Sequence, residues 1–287
     1  MKKAELFSKS ELLEIFVNHR VDSVFPGDWE SIFKGSGYEF WDLREMVRSD
    51  TCGSIDWKAT AKTGKPWIRE YLAESYVNLM ILYDVSRSMS AGDKELSAAN
   101  IAASLAYTAA RANNGCGMIL FADNVKTYIP PRMGWFHFGK IIRTIAEASP
   151  IRCGKTDPNP ALGKLMAELP ESLTFILSDF LYPIKLNFTF KDRTYGNKRH
   201  EVKALQILED FEIALPAKST GVILLHDYET REKRLIDLSK WKIYNRKRGE
   251  FIEKVHSRLN AAGIDTVILK PSDDFAAKIK TLMDGRN

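Results

Sequence analysis

From residue 76 to the C-terminus the chain alternates between short runs of apolar residues, at 77–83, 118–121, 173–177, 222–225 and 266–269, and longer stretches with helical periodicity. Each run is too short for a helix and apolar at nearly consecutive positions, the pattern of a strand covered on both faces. Strands of this kind alternating with helices predict an α/β fold built on a doubly wound, mostly parallel sheet. Helices are expected over 95–113, 136–148, 160–168, 203–214, 244–262 and 274–283. The first is alanine-rich and apolar around much of its circumference, so it should lie close on the sheet and stop at Asn114 and Gly115. Gly263 gives a similar stop to the fifth, and 125–129 reads as a hairpin partner or edge strand closed by Pro130 and Pro131.

The first 75 residues differ in character, with a helical start and then a glycine- and aromatic-rich segment from 33 to 71. The expected organisation is therefore an N-terminal helix and β-rich module over 1–75, packed on a main domain over 76–287. A chain of 287 residues with 45% apolar and 28% charged residues has the balance of an ordinary globular protein. The net charge of +5 is spread among 42 basic and 37 acidic residues, which does not indicate a nucleic-acid binder. Two basic segments, 191–199 and 242–248, interleave Tyr195 and Tyr244 with their cations, and short runs of this kind ordinarily face water.

Cys52, Cys116 and Cys153 are spaced for neither a zinc site nor a disulfide framework, which suits a reducing compartment. Glu11 and Glu14 interrupt the apolar residues of the N-terminus, so it does not read as a signal peptide. No run approaches the roughly 18 apolar residues that cross a bilayer. A cytoplasmic protein without a membrane span is expected.

The chemistry concentrates where the first buried strand ends, at Tyr83-Asp84-Val85-Ser86-Arg87-Ser88. Open α/β sheets bind ligands at the carboxyl ends of their strands. Asp84, Ser86 and Ser88 alternate, so an extended backbone would turn all three oxygens to one side. Thr156, in the loop Gly154-Lys155-Thr156-Asp157, and Asp179, at the end of the strand Leu177-Ser178-Asp179, should reach the same edge. Oxygen-only ligands with two carboxylates suit a hard ion such as magnesium, with manganese or calcium as alternatives. Two carboxylates only balance a divalent ion, so an open coordination position would attract an Asp or Glu from a protein partner. Alone, an Asp-x-Ser-x-Ser pattern is common in turns and caps; its place after a buried strand gives it meaning.

Those five positions resemble the metal-ion-dependent adhesion site of von Willebrand factor A domains. The resemblance extends to Gly35-Ser36-Gly37-Tyr38-Glu39-Phe40-Trp41-Asp42-Leu43-Arg44-Glu45, to Ile55-Asp56-Trp57-Lys58-Ala59-Thr60-Ala61-Lys62-Thr63-Gly64, and to Arg69-Glu70-Tyr71. With His226-Asp227-Tyr228-Glu229 and Leu235-Ile236-Asp237-Leu238 these are similar to a prokaryotic family named for domain of unknown function fifty-eight. The resemblance implies a von Willebrand factor A-like core and work beside a MoxR-type AAA+ ATPase in assembly, cofactor insertion or remodelling of client complexes. The chain departs from the family pattern at 48–54, where a Pro-Gly-Asp-Asp-x-Arg turn is usual, and at Ala61-Lys62, where Ala-Arg is usual. Relatives with two membrane spans ahead of the signature are common, and this chain is expected to be a form without them.

Asp56 and Arg69 are expected to form a structural charge pair beside Trp57. His226 and Asp227 follow a run that could neighbour the strand of Asp179, although no nucleophile accompanies them. Three functions compete. The favoured one is a metal-dependent protein-binding module that is not an enzyme. The alternative is a magnesium-dependent phosphoester hydrolase, but the acid/base such enzymes carry two residues after the nucleophilic Asp is here Ser86, whose pKa does not suit the task. Nucleic-acid binding through the basic segments is the third, and it would weaken steeply with salt.

Overall fold

The computed structural model describes residues 39–45, 57–72, 78–148, 156–190, 194–195, 198–216, 221–226 and 233–284. Near the N-terminus, β1 (Glu39–Glu45) pairs antiparallel with β2 (Trp67–Leu72), and a short helix α1 (Trp57–Thr63) precedes β2. The Trp67 indole N–H donates to Thr63 Oγ1 at 2.6 Å and ties the two elements together. Asp56 lies outside the described residues, so the expected pair with Arg69 does too.

The main sheet has the order β11-β8-β6-β3-β4-β5. Its strands are β3 (Leu79–Asp84), β4 (Cys116–Phe121), β5 (Val125–Arg132), β6 (Glu171–Ser178), β8 (Lys198–Ile207) and β11 (Asp265–Leu269), with the two-residue β7 (Thr194–Tyr195) on β8. The contacts of β3 with β4 and β6, of β6 with β8 and of β8 with β11 are all parallel, while β5 is antiparallel to β4. The expected doubly wound, mostly parallel sheet is what the chain forms.

Period-2 alternation divides the core between the two faces of the sheet. Leu79, Ile81 and Tyr83 of β3 pack with α2 (Lys94–Arg111), α3 (Trp135–Glu147) and α7 (Phe275–Asp284). Met80 and Leu82 pack with α4 (Asn159–Glu168) and α6 (Trp241–Ala261). Every residue of β3 is buried, and each large apolar side chain so placed is worth about 1.5–3 kcal/mol. In α2 the alanines 98, 102, 103 and 106 are fully buried, so the helix lies close on the sheet beneath the first strand. It ends at Asn113, which takes a left-handed φ of 52°. Among the described residues no helix is long and apolar enough to cross a membrane.

Three elements differ from the sequence expectation. Residues 203–214 are not a helix: they complete β8 and then form the single turn α5 (Asp210–Ile213). Polar residues 201, 203 and 206 imitate a helical face, yet Lys203 is buried with its ammonium 2.5 Å from Asp265 and 3.2 Å from Glu201, and Gln206 is buried as well. Side-chain pairing across the sheet lets polar residues occupy a central strand and erases its apolar signature. Residues 222–225 do form a strand, β9 (Val222–His226), but it pairs antiparallel with β10 (Lys233–Asp237) in a separate two-stranded sheet. Val222, Leu224 and Leu235 of this ribbon are exposed, so its apolar run does not mark a central strand. Finally, β5 runs through Pro130 and Pro131 to Arg132; as an edge strand it tolerates the lost N–H groups.

Candidate metal centre

The chain leaves β3 at Asp84, and Val85 N–H still donates to Phe121 O at 2.8 Å, which carries the strand pairing one residue further. Ser86 remains extended before a single 3₁₀ turn over Arg87–Ser90. Asp84 Oδ1 accepts the Ser86 N–H at 2.7 Å, and the Ser86 and Ser88 hydroxyls lie 3.1 Å apart. The alternation of the three residues therefore does gather their oxygens.

On the neighbouring strand, Tyr83 is in register with Leu177, which brings the end of β6 beside Asp84. The Ser178 hydroxyl donates to Asp84 Oδ2 at 2.5 Å and accepts the Phe180 N–H at 3.1 Å. Phe180 is fully buried and has φ 49°, an uncommon left-handed conformation for a bulky residue and the sharp bend by which the chain leaves the sheet. Asp179 is pinned within this bend: its Oδ1 accepts the Leu181 N–H at 3.2 Å and its carbonyl accepts Gln206 Nε2 at 2.9 Å. The Oε1 of Gln206 in turn lies 2.9 Å from His256 Nε2.

Thr156 reaches this edge from the far side of β4. Asp157 N–H donates to Ala122 O at 2.8 Å, just past the end of β4, and Asp157 Oδ1 accepts the Asn159 N–H at 3.0 Å as α4 begins. Thr156 is buried beside that anchor. The structure thus draws Asp84, Ser86, Ser88 and Asp179 into one neighbourhood and sets Thr156 at the adjoining strand end.

Three further groups complete the neighbourhood. The Lys94 ammonium, at the start of α2, bonds Asp179 Oδ2 at 2.8 Å and Glu212 Oε1 at 2.8 Å. Tyr182 is buried, and burial first, then Asp84, hold its pKa above the ordinary phenol value against the opposing influence of the Ser178 hydroxyl. Asp84 has no cationic partner among the described residues. Its burial, reinforced by Asp179, raises its pKa from 3.8 to about 7 against the hydrogen bonds of Ser178 and Ser86. Burial alone disfavours the Lys94 charge, but Asp179 and Glu212 outweigh it and raise the ammonium's pKa.

A hard divalent cation fits this chemistry. Asp84, Asp179 and Glu212 place three carboxyl groups against the single ammonium of Lys94, and burial holds the pKa of Asp84 and of Glu212 above the ordinary carboxyl value, so a cation would be needed to ionise all three. Hydroxyls of Ser86 and Ser88 add neutral oxygens, and the buried Tyr182 phenol sits nearby. Among the described residues no three His, Cys, Asp or Glu side chains form a metal-holding group.

Sequence reasoning missed Lys94, Ser178, Glu212 and Tyr182. Only Ser178 carried a local signal, as the neighbour of Asp179 at a buried strand's end. His226 belongs to β9, paired with β10, and the strand beside β6 is β8; the expected placement of His226 next to Asp179's strand is therefore corrected. Asp227 lies outside the described residues.

Fold and rim together define an α/β protein of the doubly wound class with an oxygen-rich site at the carboxyl edge of its sheet. Residues 42–257 match the family described as Protein of unknown function DUF58, and the chain belongs to that family. Uncharacterized proteins of Mycobacterium bovis and Mycobacterium tuberculosis are each 29% identical over 224 residues, covering 76% of this chain and 69% of the relative. Among solved structures the chain is similar to the conserved hypothetical protein BatB from Bacteroides thetaiotaomicron, with 15% identity, a TM-score of 0.49 and coverage of 73% of this chain and 98% of that one. It is also similar to a von Willebrand factor type A protein from Catenulispora acidiphila, with 10% identity, a TM-score of 0.40 and coverage of 75% and 42%.

Proposed function

We propose that the chain is a metal-dependent protein-binding module. Its rim holds one divalent ion, magnesium with manganese or calcium as substitutes, through Asp84, Ser86, Ser88, Thr156 and Asp179. The ion supplies an open position for an Asp or Glu of a protein partner. The observation that carries this reading is the buried Asp84, answered by no described cation in a cluster where three carboxyl groups face one ammonium. A carboxylate in that position is stabilised by a cation more than by any hydrogen bond it now accepts. Binding is favoured over phosphoester hydrolysis because the residue two after Asp84 is Ser86, whose hydroxyl, 3.1 Å from that of Ser88, has no pKa suited to acid/base work.

The partner is a MoxR-type AAA+ ATPase or its client, in the cytoplasm, in work that assembles complexes or inserts cofactors. Support for this finer step comes from the family resemblance alone and is analogy. The test is manganese titration into the full chain, followed by the electron paramagnetic resonance of the free ion, and then capture on an immobilised MoxR-type ATPase of the same host. Asp84→Ala should weaken manganese binding by about 100-fold or more while the circular dichroism is unchanged. EDTA and Asp84→Ala should each abolish capture. Manganese affinity indifferent to Asp84 would remove the metal site, and capture indifferent to both treatments would remove the partner.

A further inference from the structure

Lys94 is fully buried at the head of α2, and its ammonium has two carboxylates at equal distance, Asp179 Oδ2 and Glu212 Oε1, each at 2.8 Å. An ammonium withdrawn from water costs several kcal/mol unless anions oppose it. Helix packing gives no reason for a charge at this position, since the residues around it in α2 that meet the sheet are apolar. The arrangement also does not close as a simple pair: one cation faces two carboxylates, with Asp84 beyond Asp179.

Resting on the reading of the rim as a divalent-ion site, we infer that Lys94 is a built-in counter-charge that sets how tightly the site holds its ion. Its ammonium already occupies Asp179 Oδ2, so an entering cation shares that carboxylate with a like charge. The site therefore binds its ion more weakly than its own carboxylates would, and occupancy stays reversible.

The ammonium acts through charge and not by swinging aside, because both of its ends are fixed. Glu212 Oε2 accepts the Glu209 N–H at 2.9 Å, and Glu209 Oε1 accepts the N–H of Asp93, the residue before Lys94, at 2.6 Å. Gly92, at φ 61°, lies so close to the Glu209 carboxylate that a Cβ would overlap it. Arg248 Nε donates to the Glu212 carbonyl and holds α5 from the other side. The start of α2 and the turn after β8 thus form one clamp around the lysine.

The test compares manganese affinity of the full-length wild type, Lys94→Met and Glu212→Gln at one pH and ionic strength. Lys94→Met removes the opposing charge and should tighten binding about tenfold or more, with a larger manganese-induced rise in Tm than the wild type shows. Glu212→Gln keeps the ammonium and deletes a carboxylate, so it should weaken binding by about tenfold. A lysine that only supports packing would leave Lys94→Met less stable and binding no tighter, which overturns the inference. If Lys94→Met does not fold, an unchanged affinity in Glu212→Gln overturns it instead. Binding seen in Lys94→Met but not in the wild type supports it. Wild-type binding that neither variant alters removes this inference alone, whereas no binding in any of the three removes the metal site with it.

Discussion

Asp84 links the chemistry of the rim to the stability of the whole chain. Its folded pKa of about 7 stands above its unfolded value, so between pH 3.8 and about 7 the native state keeps a proton that the unfolded state has shed. Stability contributed by this group is therefore fully present at the acid end of that window and falls as pH rises through it. Urea unfolding of the metal-free protein from about pH 4 to about pH 8 should show the wild type losing a few kcal/mol relative to Asp84→Asn. Saturating manganese should remove the slope. Parallel curves for the two proteins would contradict the assignment. Ser178 is a second point of leverage: Ser178→Ala deletes the donor to Asp84 Oδ2 and the acceptor of the Phe180 N–H. It should cost about 1–3 kcal/mol, read as a fall in urea midpoint at constant m-value. At this scale, the gathering of the Asp84, Ser86 and Ser88 oxygens was legible because carboxylate and hydroxyl alternate locally after a buried strand. The buried ammonium beside them was not, since Lys94 meets Asp179 and Glu212 across 85 and 118 positions of chain.

Among the elements, β4 shows how tightly the sheet is fitted to its edge. A Cβ built on Gly117 would stand 2.6 Å from Met80 Sδ, 2.7 Å from Ile129 O and 2.8 Å from Pro131 N, and the β4–β5 register shifts between Cys116 and Met118. The thioether can move, but the two backbone atoms cannot do so without parting β5 from β4. Gly117→Ala should therefore destabilise by about 1–3 kcal/mol, seen in thermal or urea unfolding, while manganese affinity is unaffected. The strands β3, β4 and β6 were legible as apolar runs because they lie in the parallel sheet with side chains covered, and β11 because Val267, Ile268 and Leu269 follow one another on its outer strand. In contrast, β8 was not, because Lys203 and Gln206 exchange water for Asp265, Glu201, the Asp179 carbonyl and His256. A sequence displays the polarity of a side chain but not the partner that neutralises it. The run at 222–225 misled in the opposite sense, since Val222 and Leu224 are exposed on a two-stranded ribbon.

For the molecule as a whole, the proposed ion binding would be one equilibrium with folding, because the proposed ligands come from the ends of β3 and β6 and from the loop leading to α4. These segments converge only when the doubly wound sheet is complete, so an ion that binds the native state alone stabilises all of it. Manganese at about 100 times its dissociation constant should add about 2.7 kcal/mol to wild-type stability and almost nothing to Asp84→Ala, measured by chemical unfolding. The alternation of strand and helix that announced the fold class in sequence also announced where such a site would sit, at the carboxyl edge. The prolines of β5 bear on assembly. Of two neighbouring prolines in an edge strand, one turns a nitrogen without hydrogen toward the solvent, so a further strand laid along that border would lack a donor where the ladder needs one. Among the described residues β5 ends the sheet, and its prolines make that border a poor template for a strand from another copy of the chain.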